Sequence, residues 1–411
     1  MTSTDTGPTP MQSEPGSPAP EGMIPLCVPE IGGNELKYLQ ECLDTNWVSS
    51  AGPFVDQFQR VLAGYVGSDY AVATMNGTSA LHVALLTAGV QPDDEVLVST
   101  LSFIAPVNAI RYVGAWPVFV DAEPDYWQMD PAKVQAFLDN ECYWKDGCLR
   151  NKTTDRRVKA ILPVHILGHP CDMDPIIDAA KKYELVIIED ASESLGAMYK
   201  GRNVGTLGDI GCFSFNGNKL ITTGSGGMIV TGNQQWADRA HYLTTQARDD
   251  PVEYIHKEIG FNYRLSNIHA AMGVAQMERI DEFIAKKRHI AKVYETGFQE
   301  TRGVIPMPES EDVAATYWLY TVVLDPRLTS LNRKMALTKL NESGVGARPL
   351  WQPVHTLPPY VDAQAPWIDH AIRLCEQCIS LPSSVGLTPD EQWHSINAVK
   401  NTCSLNEGNT L

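Results

Sequence analysis

Val186-Ile187-Ile188-Glu189-Asp190 is a short β-branched run closed by two carboxylates. It reads as a buried strand with acids at its carboxyl end. Outward from it the same alternation recurs. Strands are expected at Tyr70–Met75, Glu95–Ser99, Pro117–Val120, Val158–Val164, Ile210–Phe215 and Met228–Thr231. Helical patterns fall between them at Thr78–Ala88, Pro106–Val113 and Asp174–Tyr183. Apolar strands alternating with helices predict an α/β fold with a mainly parallel central sheet covered by helices. Sites in such sheets lie beyond the carboxyl ends of the strands.

Chemistry-bearing residues follow those ends. Gly77, Thr78 and Ser79 sit between a strand and a helix start, where free amides and hydroxyls can bind phosphate. The same tripeptide also fits an ordinary helix cap. Asp190 ends its strand, and Lys219 follows the serine-bearing Phe213-Ser214-Phe215. Together they are what a pyridoxal 5'-phosphate site needs: a lysine for a Schiff base and a carboxylate for the pyridinium nitrogen. Taken singly, Asp190 also reads as a strand-end cap and Lys219 as a surface lysine. Phe103 can stack on a flat ring or fill the core.

Ser266 is expected to cap a long helix reaching about Glu300, with Ile280, Phe283, Ile284, Ile290, Tyr294 and Phe298 as its buried stripe. The predicted organisation is a tail over 1–22, a large domain over 23–265, and a linker helix with a smaller α+β C-terminal domain over 266–411. The smaller domain is expected to open with a strand at Tyr317–Leu324 and a helix from Arg333 to Ser343. Residues 140–157 interrupt the alternation and read as an inserted hairpin or loop. Cys375 and Cys378 form a C-x-x-C inside an expected helix, Ile368 to Ile379. No second ligand pair lies near, so packing is favoured over zinc and no metal is expected.

Bulk properties narrow the partners. Net charge is −17, which argues against nucleic acid or an anionic membrane surface. No stretch reaches about 18 uncharged apolar residues, so no membrane span is expected. The first residues lack the basic-then-apolar order of a secretory signal, and 9 scattered cysteines do not suggest a disulfide scaffold. A cytoplasmic protein is expected.

Four stretches occur in a recognisable order. They are Asn76-Gly77-Thr78-Ser79-Ala80-Leu81, Glu189 to Gly196, Gly211 to Lys219, and Gly260-Phe261-Asn262-Tyr263-Arg264-Leu265-Ser266. Over roughly residues 24–400 the chain resembles the DegT/DnrJ/EryC1/StrS sugar aminotransferases, fold-type I pyridoxal phosphate enzymes. The resemblance implies a Schiff-base role for Lys219, Asp190 on the ring nitrogen, and Phe103 stacked on the ring. It places Ser214 and the amides of Gly77, Thr78 and Ser79 on the phosphate, with Asn262 reaching the phosphate of a neighbouring subunit in a homodimer. Arg348, Trp351 and His355 fall in a segment near the substrate cleft. Glu193 stands where many members have glutamine or histidine, near the cofactor's phenolic oxygen.

The Glu-Ser-Leu-Gly run and Phe-Asn-Gly-Asn-Lys further resemble 4-keto-sugar aminotransferases of legionaminic acid-type biosynthesis. That implies transfer of the amino group of L-glutamate, through pyridoxamine 5'-phosphate, to a UDP-linked 2-acetamido-2,6-dideoxy-hexos-4-ulose. A sugar dehydratase on the same fold would carry histidine in place of Lys219. A non-catalytic regulatory homologue would not need Asp190, Ser214 and Lys219 together.

Overall fold

The computed structural model describes residues 22–329 and 332–403. The expected tail therefore lies, but for Gly22, outside the described residues. Seven strands form the central sheet: β1 (Tyr70–Thr74), β2 (Glu95–Ser99), β3 (Trp116–Val120), β4 (Val158–Leu162), β5 (Val186–Asp190), β6 (Ile210–Ser214) and β7 (Gly227–Thr231). Their order is β1-β7-β6-β5-β4-β2-β3. Only β7 runs against the rest, between β1 and β6.

The alternation of side chains splits the apolar runs between two layers. Val96 and Val98 of β2 face one core, while Leu97 faces the other. Ile188 and Ile187 of β5 divide in the same way. Helix α1 (Gly77–Thr87) packs on the first side through Ala80, Leu81, Ala84 and Leu85. Helix α2 (Ala105–Tyr112) joins it there through Val107 and Ile110. The second side is covered by helices that include α3 (Asn267–Met277).

The long helix expected from Ser266 is two helices. Ser266 does cap α3, its side chain accepting from the His269 N–H. The run then breaks at Glu278 and Arg279, and α4 (Ile280–Phe298) begins. The break lies at Arg279, with φ −118° and ψ 7°. The buried Gln276 amide donates to Glu30 O and Glu35 Oε1 near the end of α3, and Arg279 turns back with its N–H on Gln276 O. The apolar stripe of α4 is buried as expected, apart from a half-buried Ile284.

Beyond α4 lies a second, antiparallel sheet in the order Val304–Pro306, Tyr320–Leu324, Cys378–Leu381, Arg348–Pro349. The strand expected from Tyr317 starts only at Tyr320, because Tyr317 has a left-handed φ of 50°. The helix expected over Ile368–Ile379 spans His370–Gln377, and Cys378 opens a strand. The two cysteines of the C-x-x-C thus sit on different elements. Residues 140–157 contain the expected hairpin, Cys142–Lys145 against Cys148–Asn151. The segment near Ile24 bonds into the C-terminal part: its N–H donates to Gly344 O, and its carbonyl accepts from Gly346. No helix among the described residues is long and apolar enough to cross a membrane.

At the site-bearing edge, β7 presses against the loop after β1. A Cβ on Gly227 would lie 2.5 Å from the carbonyl carbon and oxygen of Asn76. Backbone cannot yield as a side chain tip does. Gly227→Ala is expected to cost about 1–3 kcal/mol through overpacking, read as a lowered urea midpoint at unchanged slope.

Candidate active site

The carboxyl ends of β1, β5 and β6 converge on one edge. α1 begins there, capped by Asn76, whose side-chain oxygen accepts from the Ser79 N–H at 2.8 Å. Of the three amides expected to hold phosphate, that of Ser79 is therefore already engaged. Those of Gly77 and Thr78 open the helix. A Cβ on Gly77 would meet Ser214 Oγ at 3.1 Å and Ser192 Oγ at 3.3 Å. Two hydroxyls and a helix N-terminus thus meet at a point only glycine leaves open, a donor set suited to phosphate. Ser192 was not among the expected residues. Its place two positions after Asp190 was the available signal.

Asp190 is buried, and Oδ1 accepts from the Ser192 N–H at 3.1 Å. Burial pushes its carboxyl up, opposed by Ser192, Lys219 and His165. No ion pair reaches it among the described residues, so it is suited to a cationic ring nitrogen. Its neighbour Glu189 points the other way and is fully used: Gly205, Leu207, Gly208 and His165 all donate to it. The Cys171 N–H donates to His165 Nδ1 at 3.0 Å, which leaves the ring proton on Nε2, facing Glu189.

Lys219 leaves the turn after β6 with its Nζ 3.5 Å from Glu193 Oε1. The same nitrogen lies 4.0 Å from the ring centroid of Trp318, a cation–π contact. The Trp318 indole N–H donates to Asn218 O at 2.6 Å, so the ring is pinned beside the lysine's own turn. Burial pushes the Glu193 carboxyl up to about 7; Lys219 and the Leu167 N–H oppose the rise, and Asp190 adds to it.

The other expected residues are placed as follows. Phe103 is exposed, which rules out its core alternative and leaves its ring available for stacking. Trp351 stacks on Trp318 at 6.4 Å between centroids, and so joins the Lys219 side. His355 Nδ1 lies 2.7 Å from Thr100 Oγ1, just past β2, and burial holds its imidazole below the usual range. Arg348 pairs with Ser380 in the second sheet, and among the described residues no contact brings it to Lys219. Asn262 is exposed, bridged to Thr245, and the next carbonyl, of Tyr263, accepts from the Met75 N–H at 2.7 Å. Trp318, Leu167 and Ser192 are the neighbours that motif reading missed.

This fold and this donor set define a fold-type I pyridoxal phosphate enzyme. The chain belongs to the DegT/DnrJ/EryC1/StrS aminotransferase family, whose sequence model matches residues 29–400. It is 40% identical over 373 residues to a GDP-perosamine synthase of Caulobacter vibrioides, covering 89% of this chain and 94% of the relative. It is 29% identical to a UDP-4-amino-4-deoxy-L-arabinose–oxoglutarate aminotransferase of Shewanella sediminis, over 81% of this chain and 84% of that one. Among solved structures it matches DesI in the presence of its TDP-sugar product, with a TM-score of 0.83, 27% identity and 94% of both chains covered. The chain is an aminotransferase, and its cofactor is pyridoxal phosphate.

Ser192→Ala and Ser214→Ala each remove one of the two hydroxyls that face Gly77. A hydrogen bond to a charged group contributes about 1.5–3 kcal/mol. Each variant is expected to bind pyridoxal phosphate about 10- to 100-fold more weakly, measured by equilibrium titration of the cofactor's absorbance.

Proposed function

We propose that this chain is a sugar aminotransferase moving the amino group of L-glutamate to the C4 keto carbon of a nucleotide-linked deoxysugar. The observation that carries the reading is Lys219 Nζ, 3.5 Å from Glu193 on the same sheet edge as Asp190. The relatives support the substrate class, since each is described by a nucleotide-linked sugar. The 4-amino arabinose relative supports C4 and the glutamate–oxoglutarate pair. The sequence resemblance pointed to a UDP-linked sugar, whereas the 40% relative favours GDP, so GDP is the nucleotide proposed.

Bound pyridoxal phosphate supplies an aldehyde and an electron-withdrawing ring that makes a donor's α-proton removable. The chain's own residues do the rest. The N-terminus of α1, Ser192 and Ser214 would hold the phosphate, and Asp190 would keep the ring nitrogen protonated. Lys219 provides the covalent link and, once free, the general base for the α-proton. Phe103, exposed at the site, would cover one face of the ring. Trp318 flanks Lys219 with Trp351 stacked behind it, and His355 lies beside Thr100 just past β2.

The active unit in this reading is a homodimer. Support comes from exposed Asn262 and from neighbouring apolar side chains left in water, with Tyr254 at 70% and Ile259 at 85% exposure. Cytoplasmic residence fits nine cysteines without a disulfide among them. Light scattering is expected to give twice the chain mass, and Ile259→Asp to shift it toward a single chain.

The chemistry is tested in two halves. Wild-type enzyme given L-glutamate alone should release 2-oxoglutarate in amounts equal to enzyme. A panel of GDP-, UDP- and TDP-linked 4-keto and 3-keto sugars should then show one preferred acceptor, with ping-pong kinetics. Lys219→Ala is expected to lose activity at least about 10³-fold. Near-normal turnover by that variant would exclude the assignment, and a preferred 3-keto acceptor would exclude C4.

A further inference from the structure

We propose that Glu193 is the proton acceptor for Lys219, taking the proton that the lysine gives up when its nitrogen bonds to the cofactor's aldehyde carbon. The inference rests on the reading of Lys219 given above and adds a role for Glu193. Geometry carries it. Glu193 Oε1 and Lys219 Nζ are 3.5 Å apart, with side chains only 5% and 14% exposed. No other ion pair involves Lys219 among the described residues.

The second carboxylate oxygen, Oε2, is fixed by the Leu167 N–H at 2.8 Å. Leu167 adopts a left-handed conformation, φ 61° and ψ 9°, which a leucine rarely holds without support. The support is the next residue. Gly168 also has positive φ, and a Cβ there would lie 2.7 Å from the backbone nitrogens of Tyr317 and Trp318. The Thr316 N–H donates to Gly168 O at 2.9 Å. The turn that holds Glu193 is thus locked to the segment whose Trp318 covers Lys219. One oxygen is held in place while the other faces the lysine.

Charge at this spot leaves little choice. From the end of β5 comes Asp190, from the turn after β6 Lys219, and from the 163–169 segment His165. His165 accepts from the Cys171 N–H at Nδ1, so it brings no accessible proton. The 316–318 segment brings Trp318, which is uncharged. Among the described residues Lys219 is the one ion-pair partner of Glu193. In the covalent step the ammonium nitrogen forms a C=N bond and the aldehyde's C=O bond breaks. The oxygen leaves as water, and one proton is released as the C=N nitrogen is left uncharged. With the ammonium gone, the buried Glu193 carboxylate has lost its ion-pair partner and takes that proton. On the lysine's release the proton returns to the amine.

The sign of the pH effect follows. Above the Glu193 titration the carboxylate absorbs the lysine's proton and none reaches solvent. Below it Glu193 is already protonated, so the proton escapes.

The test counts protons during loading of cofactor-free protein with pyridoxal phosphate in weakly buffered, mildly alkaline solution. Glu193→Gln keeps the side chain's shape but cannot accept, and it should release about one proton more per cofactor bound than wild type. Equal release by the two proteins would overturn the inference. For wild type alone, release should fall as pH rises through neutrality, and a flat profile would also overturn it. Bound cofactor is measured on the same samples. Failure of both proteins to take it up would instead sink the reading of the site itself.

Discussion

The structure depends on the alternation of two adjacent carboxylates at the end of β5. Glu189 turns away from the site and takes the Gly205, Leu207 and Gly208 amides and the His165 ring. A buried carboxylate would be costly alone, but with four donors it becomes a rivet. It fixes the loop feeding β6 and the segment after β4 in one stroke. Asp190, one residue on, must then face the opposite side with few partners of its own. An acid held rigid and under-satisfied is what a cationic ring nitrogen requires.

Much of this was legible because it is local. Each apolar strand run reads directly from its β-branched residues, and each chemical group follows a strand end by a few positions. The seven strands, the Asn76-to-Ser79 start of α1 and the positions of Asp190, Ser214 and Lys219 at one edge could therefore be expected. Family resemblance supplied residues whose roles no local pattern reveals, such as Asn262. The long-range partners were hidden. Nothing near Trp318 in sequence says that its indole N–H will reach Asn218 O, one hundred positions away. The left-handed turn at Leu167 was equally hidden, because its brace at 316–318 comes from a distant part of the chain.

Where local reading erred, a tertiary contact decided. The expected single helix after Ser266 breaks at Arg279, whose backbone leaves helical geometry while the Gln276 side chain is held by Glu30 and Glu35. Cys378 leaves its helical pattern because Tyr320–Leu324 offers it a strand partner. In each case a hydrogen bond satisfied over distance outweighs a propensity of a few tenths of a kcal/mol per residue.

The C-terminal part is more than a cover. Lys287 of α4 is buried and donates to Trp318 O at 2.8 Å and to Ser383 O. Burial pulls its ammonium below the usual lysine range, and no carboxylate pairs with it among the described residues. Such a group is tolerated only where carbonyl dipoles replace water around it. Here those carbonyls belong to the strand entry that carries Trp318 and to the loop after Cys378–Leu381. The lysine that ties the Trp318 and Ser383 carbonyls together thereby helps set the position of the ring beside Lys219. Chain segments far apart in sequence are coupled through one indole, whose backbone is fixed from the C-terminal side and whose N–H is fixed from the turn that carries the reacting nitrogen.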